Sequence, residues 1–190
     1  MTYFLIFISA VFVNNIVLAQ FLGICPFLGV SKKMETAVGM SGSVAFVMTI
    51  ATIFTYIIRK AVLVPLQVSF LQTIVFILII AVLVQLIEII LKKMSPILHQ
   101  ALGVFLPLIS TNCTILGVAI MVIQKDYSLM ESVVFAISTA CGFGLALILF
   151  ASIREQLSLV KLPKGMEGVP IALIVAGLLA MAFMGFSGIV

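Results

Sequence analysis

The chain has 190 residues, of which 64% are hydrophobic and 8% are charged, and its net charge is +4. Soluble domains average about 25% charged residues, so this composition excludes a soluble globular protein and predicts a surface that contacts lipid. The basic residues are scattered between apolar runs and form no patch, which argues against nucleic-acid binding.

Charged residues divide the chain into six long apolar stretches. Each can supply the roughly 20 residues that a membrane-spanning helix requires. Because the stretches do not alternate in polarity and must satisfy their own backbone groups in hydrocarbon, we predict helices. They cover residues 1–31, 36–58, 68–91, 101–123, 129–153 and 169–190. The first lacks a basic start and is too long for a signal peptide, so we expect it to be retained.

The first and fourth stretches carry helix-breaking residues at membrane depth. Pro26 and Pro107 each remove a helical hydrogen bond, and glycines lie near both. Neighbouring Asn, Ser and Thr side chains offer the freed backbone groups other partners. We predict broken or half-helices at these two positions, buried in protein or lining a cavity. A kinked helix with small residues for close packing is the alternative.

The polar residues of these two stretches are candidates for lining a site between the two halves. They are Asn14, Asn15, Thr111 and Asn112. The alternative is that they only satisfy the backbone of the broken helices.

The same two stretches share a phrase, nearly half the chain apart. Residues 25–30 read Cys-Pro-Phe-Leu-Gly-Val and residues 113–118 read Cys-Thr-Ile-Leu-Gly-Val. A duplicated membrane protein brings equivalent positions together where its repeats meet. We therefore predict a single membrane domain, 1–190, built from two three-helix repeats, 1–95 and 96–190.

The basic residues predict the orientation of the helices. The positive-inside rule assigns to the cytoplasm the loops after the first, third and fifth helices, which carry more basic residues than the others. They contain Lys32, Lys33, Lys92, Lys93, Arg154, Lys161 and Lys164, against Arg59, Lys60 and Lys125 on the other side. Both termini then face outward. With an odd number of helices per repeat, the second repeat is inverted relative to the first.

Arg154 and Glu155, at a cytoplasmic helix end, are candidates for anchoring or for docking a peripheral protein.

Two of the three cysteines, Cys25 and Cys113, occupy the equivalent position of the repeated phrase. Paired soft thiolates favour an iron–sulfur cluster, zinc or copper, and a disulfide at membrane depth would add little to helix packing. A cluster normally needs four ligands, so the missing pair would come from a homologous subunit or a second copy. A mononuclear iron remains open. Cys141 lies among small residues and is predicted to be a packing residue.

Five phrases resemble the family of the Rnf complex A subunit, which also includes the E subunit of the sodium-translocating NADH:quinone reductase (Nqr). They are residues 13–15, 21–33, 103–113, 153–155 and 182–188, collinear over essentially the whole chain. The Asn14-Asn15 and Cys25-Pro26 pairs are more similar to the Rnf member.

This resemblance implies membership of a bacterial complex in the cytoplasmic (inner) membrane. The complex couples electron transfer between reduced ferredoxin and NAD to movement of Na⁺ or H⁺. The resemblance further implies that Cys25 and Cys113 form half of an intramembrane [2Fe–2S] site, completed by the homologous Rnf E protein of opposite topology. Flavins, the NAD site and other clusters would belong to other subunits, so the chain would be part of an enzyme but not catalytic alone.

Three other functions remain open. One is the equivalent component of the NADH:quinone reductase. Another is a secondary transporter that carries its own substrate between inverted repeats without a metal. The last is a structural membrane scaffold for redox partners, in which the cysteines would be replaceable.

Overall fold

The computed structural model describes residues 2–31, 34–63, 65, 71–94, 106–160 and 168–186, and the regular structure within these ranges is helical. The α-helices are α1 (Thr2–Ile8), α2 (Ile24–Val30), α3 (Met34–Ile58), α4 (Gln72–Met94), α5 (Leu106–Ser110), α6 (Cys113–Gln124), α7 (Leu129–Leu157) and α8 (Val169–Met184). Helices α1 and α3 each continue into a π-helical turn, Ser9–Val13 and Arg59–Leu63 respectively.

Three helical segments in the described part of the chain are long and apolar enough to cross a membrane. They are Met34–Ala61, Gln72–Ile89 and Leu129–Leu157, and they fall within or overlap the second, third and fifth predicted stretches. The first, fourth and sixth stretches form shorter apolar helices: Tyr3–Val13, Leu108–Gln124 and Val169–Met184.

Helical structure is interrupted in the first and fourth stretches at the predicted polar residues, whereas Pro26 and Pro107 lie in the first turns of short helices, where a missing N–H breaks no helical bond. In the first stretch the chain leaves the helix after Val13 and re-enters one at Ile24. In the fourth stretch the interruption lies between Ser110 and Cys113. The sixth stretch differs from expectation, since its helix ends at Met184 before a turn at Gly185. Glycine weakens a helix through its backbone entropy, and residues 187–190 lie outside the described ranges.

The core is centred on α3 and α7, one helix from each predicted repeat, which make the most extensive contact between described elements. Small residues allow the close approach: a Cβ added at Gly144 of α7 would lie 3.2 Å from Cβ of Ser41 on α3. Large side chains such as Met40, Met48 and Phe143 are fully buried around this contact. Helix α2 and the π-helical turn after α1 pack against this central pair, as does α6.

Two polar contacts show which helix ends lie together. The guanidinium of Arg154, in the last turns of α7, reaches Ser31 at the end of α2. At the ends of α3 and α6, Arg59 lies 3.8 Å from Asp126. Each contact joins chain segments that the positive-inside rule assigns to the same side of the membrane. Lys32, Lys33, Lys161 and Lys164 and the side chain of Lys92 lie outside the described residues.

Gly142 offers a test of the packing of the π-helical turn Ser9–Val13 against α7. A Cβ at this position would lie 3.1 Å from the carbonyl oxygen of Ala10 and 3.2 Å from Cα of Val11, both backbone atoms with little room to move. We expect Gly142→Val to lower the free energy of unfolding by roughly 1–3 kcal/mol, as overpacked cores do, measured as a fall in the thermal midpoint of the purified protein in detergent. Gly177→Ala, in open space on α8, is the control; equal midpoints would contradict this packing.

Candidate functional site

The candidate site is the junction at which the two interrupted helices meet. The backbone N–H of Gly23 donates a hydrogen bond to Sγ of Cys113 at 2.9 Å. Cys25 follows Gly23 by two residues, so its Cα lies within about 12 Å of that sulfur at most. The structure therefore brings a residue just before the first phrase into contact with the cysteine of the second, although 90 residues separate the bonded pair.

Gly23 is suited to this position by its conformation and by its size. Its φ of +79° lies in the left-handed region, which glycine adopts at no steric cost. A Cβ there would overlap Oγ1 of Thr114 and would lie 3.3 Å from Oδ1 of Asn112. The close contact between the two interrupted segments thus depends on the missing side chain.

Asn15 bonds the backbone groups that are freed at the first interruption. Its side chain is buried, with 1% of its surface exposed. Its Nδ2 donates to the carbonyl oxygens of Val11 at 3.1 Å and of Gly142 at 2.8 Å, and its Oδ1 accepts from the N–H of Val17 at 3.1 Å. Asn15 therefore satisfies broken backbone and ties it to α7. Its predicted role in lining a site stays a prediction.

Asn14 differs from its neighbour because it is exposed and makes a weaker bond, from Nδ2 to Oγ of Ser9 at 3.3 Å. It lies on the wall of an open cleft of about 430 Å³, together with Gln20, Lys125 and Tyr127. This is the more accessible of the two adjacent asparagines.

Asn112 caps the second half-helix, α6. Its Oδ1 accepts from the N–H of Thr114 at 3.0 Å, which supplies one of the donors at the start of α6 with a partner. Two atoms that flank Cys113, Nδ2 of Asn112 and Oγ1 of Thr114, are buried without a hydrogen-bond partner. Burying a donor without a partner lowers the stability of the fold by about 1–3 kcal/mol. A polar or charged group bound here could accept hydrogen bonds from these two atoms and so remove that cost. Thr111 is exposed beside them.

The residues that follow each cysteine are buried in the same pattern. Pro26, Phe27 and Val30 are buried, as are their counterparts in the second phrase, Thr114, Ile115 and Val118. The residues after the two cysteines therefore share one burial pattern.

The glycines of the two phrases are packed reciprocally. A Cβ at Gly29 would lie 3.6 Å from Leu108, and one at Gly117 would lie 2.7 Å from Leu22. Each glycine thus faces a leucine that precedes the cysteine of the other phrase.

All three cysteines are free, and they differ in exposure. Cys25 and Cys141 are exposed and Cys113 is partly buried. Within the described ranges, no group of three His, Cys, Asp or Glu side chains could hold a metal ion. The described part of the chain places the Cys113 thiol at the junction and Cys25 two residues from Gly23, and it contains no complete metal site. Cys141 lies apart from them, in a shallow groove of small residues with Ser41, Gly42 and Gly144.

Sequence reasoning missed two residues at this junction, Gly23 and Thr114. Their signals in the sequence are weak. Gly23 is one of many glycines in the chain, and Thr114 stands at a variable position of the repeated phrase.

Comparison with known proteins identifies the family. Residues 3–190 match the family model described as "Rnf-Nqr subunit, membrane protein". The chain belongs to the Rnf-Nqr family. It is accordingly a membrane protein, and the predicted family resemblance is confirmed.

Relatives within the Rnf-Nqr family match this chain over nearly its full length. The chain is 60% identical over 188 residues to the A subunit of the Na(+)-translocating ferredoxin:NAD(+) oxidoreductase complex of Acetobacterium woodii, covering 99% of this chain and 98% of the relative. It is 58% identical over 186 residues to the A subunit of the ion-translocating oxidoreductase complex of Syntrophotalea carbinolica, covering 98% and 96%. A protein of the same description from Pseudoalteromonas translucida is 50% identical over 188 residues, covering 99% and 97%.

The two adjacent asparagines give a matched pair for testing the sealed interruption. Asn15→Ala would leave the N–H of Val17 and the carbonyl of Gly142 without their side-chain partner, so we expect a loss of about 1–3 kcal/mol in the free energy of unfolding. Asn14→Ala should change it by less than about 0.5 kcal/mol. Thermal unfolding in detergent measures both; equal stabilities would refute the role assigned to Asn15.

Gly23 and Gly29 provide a second pair. We expect Gly23→Ala to separate Gly23 from Cys113, because alanine strains the left-handed backbone and overlaps Thr114. Gly29→Ala meets only an ordinary contact at 3.6 Å. Maleimide labelling of Cys113, resolved by mass spectrometry on the purified chain, should be several-fold faster in Gly23→Ala; identical rates in the two variants would argue against the junction.

Proposed function

We propose that this chain is the A subunit of an ion-translocating ferredoxin:NAD oxidoreductase (Rnf) complex in the bacterial cytoplasmic membrane. In this role it couples electron transfer to transport of Na⁺ or H⁺ and is not catalytic alone. The support is the full-length similarity to relatives whose names state that function. Flavins, the NAD site and other clusters lie on other subunits in this proposal.

The proposed architecture is six transmembrane helices arranged as two inverted three-helix repeats, with both termini on the outer face. Residues 1–95 and 96–190 each contain an interrupted helix, then a long helix, then a third apolar helix. The reciprocal packing of Gly29 and Gly117 and the central pairing of α3 with α7 are what a pseudo-symmetry axis would produce.

Within this architecture, Cys25 and Cys113 provide two thiolate ligands to a [2Fe–2S] cluster inside the membrane. The observation that carries this proposal is the contact of Gly23, two residues before Cys25, with Cys113. A homologous membrane protein of opposite topology, the Rnf E protein, supplies the other two ligands. The exposure of Cys25 supports such a partner, because a ligand to a shared cluster must face out of its own chain.

The residues around the thiols fit this cofactor. The N–H of Gly23 already donates to a sulfur, and hydrogen bonds to ligand sulfurs tune the potential of iron–sulfur centres. The unpaired Nδ2 of Asn112 and Oγ1 of Thr114 are further donors for an anionic group beside Cys113. When bound, an iron–sulfur cluster accepts and releases one electron within the bilayer.

The chain's own part in coupling is to hold the two sulfurs on half-helices that can respond to charge. A change of charge at the sulfurs acts strongly on nearby dipoles because the dielectric is low. Asn15 joins the first interruption to α7, so a shift of the half-helices would reach the core of the bundle. Rocking of inverted repeats about such a site would open it alternately to the two faces.

Substitution of the cysteines in the assembled complex tests the proposal. We expect Cys25→Ser and Cys113→Ser to remove the iron, the acid-labile sulfide and the visible absorbance of this centre, together with ion transport. Cys141→Ser is the matched control and should retain all of them, because Cys141 lies in a different groove.

The other outcomes separate the alternatives. Electron flow that persists in both variants would indicate a structural scaffold. Iron without sulfide in the wild type would indicate a mononuclear site. Substrate uptake by the chain alone, without any metal, would indicate a secondary transporter.

A further inference from the structure

Arg154 is a charged residue of α7 that turns toward the end of α2. Its Nη1 donates to the carbonyl oxygen of Leu28 at 2.9 Å and to Oγ of Ser31 at 2.7 Å. Ser31 is the C-cap residue that follows α2, and it has 0% of its surface exposed. The side chain of Arg154 is partly buried and is engaged with its own chain.

This contact meets two needs of α2. The last carbonyl groups of a helix have no partner within the helix, and Arg154 supplies one to Leu28. A positive charge at a helix C-terminus also interacts favourably with the helix dipole. Both effects are stronger here than at a fully water-exposed helix end, because Arg154 is partly buried and Ser31 has 0% of its surface exposed.

Aromatic rings hold the same helix from the side. Phe27 of α2 stacks on Phe150 of α7 with ring centroids 4.1 Å apart and an interplanar angle of 18°. Cζ of Arg154 lies 5.7 Å from the centroid of Phe150. Both rings are buried, so α2 is fixed to α7 by a stacked pair and by a charged hydrogen-bonded cap.

Because α2 is short, these contacts determine where Cys25 lies. The helix has seven residues, which is about 10 Å, and isolated helices this short are unstable. Cys25 and Leu28 are three residues apart, about 4.5 Å along the axis. The place of the Cys25 sulfur is therefore set by what holds the ends of α2.

We propose that Arg154 is a positioning residue that holds Cys25 through α2, and that its positive charge raises the reduction potential of the centre bound by Cys25 and Cys113. This inference rests on the proposed function for its second half. Reduction adds negative charge to the centre, and a nearby fixed cation stabilises the reduced form. Removing the cation should therefore lower the potential.

Three variants of the assembled complex test both halves. Arg154→Lys keeps the charge on a side chain that ends one bond short of the nitrogen bonded to Leu28 and Ser31. Arg154→Gln removes the charge, and Glu155→Gln changes an exposed neighbouring charge as the control. Two quantities are measured: the midpoint potential of the intramembrane centre by redox titration with electron paramagnetic resonance, and amide hydrogen exchange of residues 24–31 by mass spectrometry.

We expect Arg154→Gln to lower the midpoint potential and to speed exchange in residues 24–31 by about tenfold or more, since a charged hydrogen bond is lost. Arg154→Lys should recover most of the potential while exchange stays faster than in the wild type. Glu155→Gln should leave exchange unchanged. If Arg154→Gln does not assemble, Arg154→Lys still tests the cap, because its exchange must rise.

Two results would overturn the inference. Unchanged exchange of residues 24–31 in both Arg154 variants would show that Arg154 does not hold α2. Faster exchange with an unaltered potential in Arg154→Gln would reduce Arg154 to a structural cap. A wild-type complex that lacks iron and sulfide at this centre would refute the proposed function instead, and the exchange measurement would still decide the positioning of α2.

Discussion

A broken helix inside a bilayer depends on protein groups to satisfy its freed backbone, because hydrocarbon offers no water to bond. This chain meets that constraint with one buried asparagine at each break. Oδ1 of Asn15 accepts from Val17, and Oδ1 of Asn112 accepts from Thr114, each two residues further along the chain. Asn15 also reaches across to the carbonyl of Gly142 on α7. The backbone groups freed at each break thereby gain side-chain partners within the protein.

The junction of the two breaks holds the sulfur of Cys113, and Cys25 lies two residues from Gly23, whose N–H donates to that sulfur. The residues after each cysteine are buried in parallel patterns, whereas Cys25 is exposed and Cys113 is partly buried. Two buried polar atoms beside Cys113 remain unpaired. The breaks themselves are satisfied by buried asparagines, so these unpaired donors distinguish the surroundings of Cys113 from the rest of the two breaks.

Charged residues lie at the ends of the two half-helices α2 and α6 that begin near the cysteines. Arg154 caps α2 at the end where Ser31 lies, and Arg59 approaches Asp126 at the ends of α3 and α6. Between these two polar ends, α3 and α7 form an apolar centre with small residues at their contact. In a low-dielectric interior, a fixed cation at one end of a short helix affects the group at its other end.

Much of this organisation could be predicted from the sequence because it depends on local chemistry. Long apolar runs predicted the helices, Gly, Pro and polar residues at membrane depth predicted the two breaks, and the repeated phrase singled out Cys25 and Cys113. Only the tertiary structure showed three long-range hydrogen bonds: from Gly23 to Cys113, from Asn15 to Gly142 and from Arg154 to Leu28. Each of these joins residues about 90 or more positions apart, and each depends on a backbone angle or a packing distance that residue identity alone does not determine.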